Sequence, residues 1–243
     1  MIHKTLVRLD IQSLTEFRRV NKRAKSITDF NTQYKLIKTH APESIRGCLG
    51  LKTARFINCQ DLYEKLSTAE CDSCGDFGGY LYLITCRRVC FLCFTEKADF
   101  LPLPRNEVLR RFGLNSEHLA TLPFLKSVPG VYSPRGIKCQ RRERLFDYSV
   151  ARKQGIAIHG SVESMEEHVS ETARKKLESY SAKASVCRRG TRLRQPRTED
   201  PFDGHSSSPR RFMVIVRPPF LRSAREPPEF GYHYLACKAH HYH

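Results

Sequence analysis

The chain has 243 residues, 40% of them hydrophobic and 10% aromatic, enough apolar content for one sizeable packed domain or two small ones. Its formal net charge of +17 points toward anionic partners, nucleic acid or an acidic protein surface, and no apolar run approaches the length that spans a bilayer. The amino terminus, MIHKTLVRLDIQ, lacks the apolar core and cleavage site of a signal peptide, so the expected location is cytoplasm or nucleus, where ten cysteines point to metal rather than disulfides.

From Leu6 to Ile27 the apolar residues Leu6, Leu9, Leu14, Phe17, Val20 and Ile27 recur largely at three- and four-residue steps, with basic residues between them. That spacing predicts helix. Ser13 and Glu16 read as a capping box, which places a helix start at Leu14, with Leu6 to Asp10 as the tail of a preceding helix. A short helix follows with Phe30, Tyr34 and Ile37 on one face, ended by Pro42. Ala41 to Glu70 reads as connecting helices, one of them capped by Asn58 with Asp61 and burying Leu62 and Leu66.

The next stretch, CDSCGDFGGYLYLITCRRVCFLC, carries the most specific pattern in the chain. Two Cys-x-x-Cys pairs, Cys71/Cys74 and Cys90/Cys93, are separated by fifteen residues that contain a glycine turn and an apolar run. This is the spacing of a structural zinc site, because each hook turns tightly enough to aim two sulfurs at one point and a tetrahedral ion takes four. Gly75 suits the positive φ that such a knuckle often requires, and Tyr80 to Ile84 is a strand leading to the second hook. Buried free thiols or a redox pair are the plainer alternatives. Cys86 is a possible further ligand, through Cys86-x-x-x-Cys90, but is expected to be the spare thiol, packed under the strand. A catalytic zinc is not expected, since nothing in the hairpin supplies histidine or carboxylate ligands beside a general base.

Beyond the hooks, Pro102 and Pro104 mark a rigid turn. Asn106 is expected to open a helix through Phe112 that stops at Gly113, and Glu117 to Leu122 is another helical turn ended by Pro123. Phe124 to Val128 reads as a strand entering a Pro129-Gly130 turn. Asp147 to Ile156 and Val162 to Tyr180 are predicted helices, the second with Ser161 as cap and a stripe of Val162, Met165, Val169, Ala173 and Leu177. Ser181 to Arg210 is dominated by Arg, Ser, Pro, Gly and Asp and is expected to be a disordered basic linker. Phe212 to Val216 reads as a last strand, and the tail FGYHYLACKAHHYH offers Cys237 and His240 at hook spacing as a possible second metal site.

Leu6, Leu9-Asp10, Ser13-Leu14, Phe17 and Arg19-Val20-Asn21-Lys22-Arg23 resemble the latter half of an F-box. Cys71-Asp-Ser-Cys74-Gly, Phe77-Gly78-Gly79, Tyr80 to Leu83, Thr85-Cys86 and Cys90-Phe91-x-Cys93 resemble a stretch found in fungal F-box-domain proteins. Pro129-Gly130-x-Tyr132-Ser133 and His159-Gly160-Ser161 are similar to the same group. The resemblance covers roughly Leu6 to Lys183. It implies a substrate-recruiting subunit of a cullin-type ubiquitin ligase, with Leu9, Leu14, Phe17 and Val20 facing the adaptor. An F-box usually opens with a Leu-Pro-x-Glu type loop and a full first helix. This chain begins at MIHKT, so a shortened motif is expected.

The fold expected is mainly α with a small zinc-stapled β-hairpin, an α+β class, divided into partial F-box-like helices (1–40), a zinc-braced body (41–180), the basic linker (181–210) and a carboxyl-terminal strand with a Cys/His tail (211–243). No Gly-x-Ser-x-Gly elbow, phosphate-binding loop or His-Glu-x-x-His is present, and His40, His118, His159 and His168 lack nucleophile or carboxylate partners in sequence, so no enzyme is expected. Two rival readings stand beside the ligase subunit. One is a basic zinc-ribbon protein that binds nucleic acid, with Tyr80 and Tyr82 stacking bases. The other is a shortened paralogue without adaptor binding.

Overall fold

The computed structural model describes residues 5–186, 195–196, 208–222 and 228–231. A helical turn at Thr5 and Leu6 leads to Asp10, whose carboxylate accepts the backbone N–H of Ser13 at 2.9 Å and the Ser13 hydroxyl at 2.6 Å. Helix α1 (Ile11–Val20) therefore starts ahead of the expected Leu14, because Asp10 is the cap and Ser13 lies inside the first turn. Extended backbone at Asn21 ends α1, and its side chain caps α2 (Lys22–Asp29). Asn31 caps α3 (Thr32–His40), which turns Tyr34 and Ile37 inward while Phe30 stays 77% exposed. Pro42 follows the end of α3, as expected, and is itself the first residue of α4 (Pro42–Leu51), where its missing N–H costs nothing. Asn58 accepts from the N–H of Asp61 at 2.7 Å and so caps α5 (Cys59–Leu66), with Leu62 and Leu66 fully buried as the sequence predicted.

The hairpin β1 (Tyr80–Tyr82) and β2 (Arg87–Val89) comes next, followed by α6 (Phe91–Glu96) and a 3₁₀ turn at Ala98–Phe100. Then come β3 (Leu103–Pro104), α7 (Arg105–Phe112) ending at Gly113, α8 (Ser116–Thr121), β4 (Phe124–Lys126), β5 (Gly130–Tyr132), β6 (Ile137–Cys139) and β7 (Arg144–Phe146). Helices α9 (Tyr148–His159), α10 (Val162–Val186) and α11 (Pro209–Phe212) precede β8 (Ile215–Val216). The tight turn expected at Pro129-Gly130 lies instead at Ser133–Gly136, where Gly136 takes φ +61 and Gly130 is already in β5. A hairpin loop needs a left-handed residue, and Gly136 supplies it.

The class is mainly α with small antiparallel sheets, in the orders β2-β1-β8, β3-β7-β4 and β5-β6. Two cores hold them together. The first joins Leu6, Ile11, Leu14, Tyr34 and Ile37 of the amino-terminal helices to Leu81, Tyr82 and Leu83 of the hairpin and to Val214. The second gathers Leu103, Val108, Phe112, Leu119, Leu122, Ala151 and Met165. Strand β7 links the two, since alternation sends Leu145 into the first and Phe146 into the second. The amino-terminal helices thus share one core with the hairpin, and the packing shows no break at residue 40.

Two further expectations change. Helix α10 packs on α7 and α9, with Met165 buried in the second core while Leu177 is 46% exposed. The linker expected over 181–210 is helical to Val186, and Ser208 to Arg210 already belong to the ordered segment that follows; the rest, apart from 195–196, lies outside the described residues. That segment straps the first core. Within it Leu81 pairs with Val216 and Tyr82 with Ile215, the Leu83 N–H donates to the Val214 carbonyl at 2.8 Å, and the Leu221 N–H donates to Leu66 at 2.8 Å.

Candidate metal centre

The first hook is a turn closed by its own backbone. The Gly75 N–H donates to the Cys71 carbonyl at 3.0 Å and the Cys71 N–H donates to the Asp76 carbonyl at 2.6 Å. Gly75 takes φ +83, the left-handed conformation that the spacing called for and that a side chain would resist. The second hook is a helix start. Cys90 occupies the N-cap of α6, and its Sγ accepts the backbone N–H of Cys93 at 3.4 Å.

These two turns bring four sulfurs together. The Sγ atoms of Cys71, Cys74, Cys90 and Cys93 all lie within 4.8 Å of one another, with Cys74 and Cys90 at 3.6 Å. Four sulfurs on a tetrahedral zinc at the usual bond length stand about 3.8 Å apart, so the cluster is of a size to close on one ion with modest adjustment. Among the described residues it is the only such group.

The surroundings favour the charged form of the sulfur at Cys71, whereas the Cys74 and Cys90 thiols are shifted upward. Burial pushes the Cys71 thiol up, but backbone N–H groups of Cys90, Ser73 and Cys74 outweigh it and leave it lowered to about 7. The hooks are also tied to one another. Asp72 exchanges backbone hydrogen bonds with β2, its N–H donating to the Arg88 carbonyl at 2.8 Å and its carboxylate accepting the Arg88 N–H at 3.1 Å. Lys65 Nζ reaches that carboxylate at 2.7 Å, and Lys97 Nζ reaches Ser73 Oγ at 2.7 Å.

No protein-family model, curated protein or solved structure matches this chain.

Arg88 is the residue that sequence reasoning missed. It is fully buried behind the first hook, donating from Nε to the Gly78 carbonyl at 2.6 Å and from Nη1 to the Lys65 and Pro219 carbonyls at 3.3 Å. Burial pushes its guanidinium down to about 10, which still leaves it charged at neutral pH. Gly78 is shaped around it, because a Cβ there would stand 2.6 Å from Arg88 Cγ. The sequence gives no periodic signal for a cation that bonds only to carbonyls.

The other predicted site residues fall apart from the cluster. Cys86 sits in the β1–β2 turn at φ +52, buried, with its thiol pushed up by that burial, and its sulfur is not one of the four. Cys237 and His240 lie outside the described residues. Of the proposed adaptor contacts, Leu14 is 1% exposed inside the first core, Leu9 and Phe17 are half-buried against it, and Val20 is 69% exposed. Leu14 is thus a core residue, and a docked partner would not reach it. Tyr82 is fully buried edge-on to Phe100 at 5.4 Å, and Tyr80 packs on Phe94 at 4.9 Å, so the pair offers no open stacking face. Among the described residues no helix is long and apolar enough to cross a membrane.

Proposed function

We propose that this protein is a non-enzymatic F-box-like subunit that recruits targets to a cullin-type ubiquitin ligase, with a body stapled by structural zinc on Cys71, Cys74, Cys90 and Cys93. The closed all-sulfur cluster carries the zinc half of this reading. Four cysteine donors fill a tetrahedral shell and leave no position for a reacting water, whereas a catalytic ion keeps one open. A zinc ion with four thiolates carries two net negative charges, and Lys97 and Arg88 beside the hooks, whose cationic groups bond uncharged oxygens, offset them. When bound, the ion contributes folding free energy rather than chemistry.

The adaptor half rests on the amino-terminal helices. Among the described large apolar side chains, Phe30 at 77% and Val20 at 69% are the two most exposed, at the ends of successive helices. Exposed apolar residues beside basic ones are the kind of anchors a partner surface covers. Recruitment then works by proximity, raising the effective concentration of a target beside the ubiquitin-charged enzyme. The test is co-purification of the zinc-loaded chain with an F-box adaptor, wild type against a Val20→Asp/Phe30→Asp double variant. Retention by the wild type and loss in the variant is the expected result. A folded wild type that is never retained would end the ligase reading while leaving the zinc site standing.

A further inference from the structure

The residues from Lys138 to Arg144 form a basic run that ends in β7, beside the aromatic side chains of β4 and the loop after α4. Register places Phe124 opposite Phe146 and Lys126 opposite Arg144, so Phe124, Lys126 and Arg144 share one face of the β4–β7 pair. The Arg144 guanidinium stands 4.5 Å from the centre of the Phe124 ring. Arg55, from the loop after α4, stands 4.4 Å from the same ring and 4.6 Å from that of Phe56, which is 42% exposed. Arg55, Lys126, Arg141, Arg142 and Arg144 are all exposed, and within the described residues none has an ion pair or side-chain hydrogen bond. The only carboxylate in the run, Glu143, lies 3.7 Å from Arg210.

We propose that this face, built on Arg55, Phe124, Lys126 and Arg144, docks an acidic peptide segment. In the ligase reading that segment belongs to the recruited target, and only this assignment rests on that reading. Three features choose the occupant. The cations have no counter-charge of their own, so an anion gains attraction without displacing a partner. A guanidinium held over an aromatic ring is fixed in orientation while its in-plane N–H donors stay free, the geometry that takes a carboxylate two-pronged. The rings are already capped by guanidinium groups, which leaves little bare aromatic face for a nucleic-acid base.

The experiment is fluorescence anisotropy of the full zinc-loaded chain with a labelled dodecamer of glutamate, against an oligouridine and a phosphoserine peptide of equal net charge. The glutamate peptide is expected to bind with affinity that falls as salt rises. Arg55→Ala and Arg144→Ala should each weaken it roughly tenfold, and Arg→Lys at either position should fail to restore it, since lysine lacks the fork. Lys175→Ala/Lys176→Ala on α10 removes two charges elsewhere and should leave binding unchanged. Equal loss in that control, full rescue by lysine, tighter binding of the oligouridine or phosphopeptide, or no binding by folded protein would each overturn the proposal. No adaptor is present in the assay, so its outcome is independent of the co-purification above.

Discussion

Single side chains around the hooks set the terms of the metal centre. Serine in place of Cys90 removes a ligand and the sulfur that accepts the Cys93 N–H; zinc content by metal analysis should fall toward zero and the thermal midpoint by roughly 10 °C or more. Gly78→Ala tests the packing behind the hook. Its Cβ would press on Arg88 Cγ at 2.6 Å and on the Glu70 carbonyl at 3.2 Å, so a loss of about 1–3 kcal/mol is expected in denaturant unfolding. Farther away, Arg18 and Lys38 both reach Asp29, at 2.8 and 3.0 Å, and the Arg18 hydrogen bond foremost lowers its carboxyl to about 2. A lowered folded-state value stabilises above the unfolded pKa near 4 and is lost as pH falls through about 2. The pair is near the surface, so Asp29→Asn should cost only about 1 kcal/mol at pH 7, a difference that shrinks as unfolding is repeated from pH 4 downward.

Helix α1 shows how one element divides its work between core and surface. Ile11 and Leu14 are buried in the first core while Val20 projects outward, although all are apolar residues of one helix. Leu14→Ala should cost about 2–5 kcal/mol by leaving a cavity, whereas Val20→Asp, on an exposed side chain, should hold the melting temperature. Calorimetry of the two variants side by side separates the roles. The sequence made the hydrophobic positions of α1 legible but not their partners, because a periodicity of three and four gives the face of a helix and not what stands opposite it. The same limit applies to α10. Its apolar stripe continues to Leu177, yet of that stripe only Met165 is buried.

The whole molecule depends on a segment far away in sequence. The strap from Ser208 to Leu221 completes the hairpin sheet through β8, and the buried Arg211 donates from Nη1 to the carbonyls of Phe94 at 2.7 Å and Lys97 at 2.8 Å, at the far end of the second hook's helix. The cysteine hooks, hairpin and strap share the first core, while Phe112 and Met165 belong to the second, so the two are expected to open as separate units. Chelation at neutral pH should abolish hydrogen-exchange protection first in residues 71–97 and 209–221, with α7 and α9 protected longer. Uniform loss across the chain would show the two cores unfolding as one.

The sequence by itself determined what local chemistry determines. Two Cys-x-x-Cys turns with Gly75 behind the first specify a four-sulfur cluster, Asn58 and Asp147 start their helices, and Gly113 stops one, because each needs only a few neighbouring residues. Tertiary structure alone decided that Arg88 and Arg211 are buried on carbonyls of Pro219 and Phe94, that Leu14 faces inward and Val20 outward, and that Arg55 meets Arg144 on one ring. Each of these depends on segments distant in the chain meeting through space, and no window of sequence contains both partners.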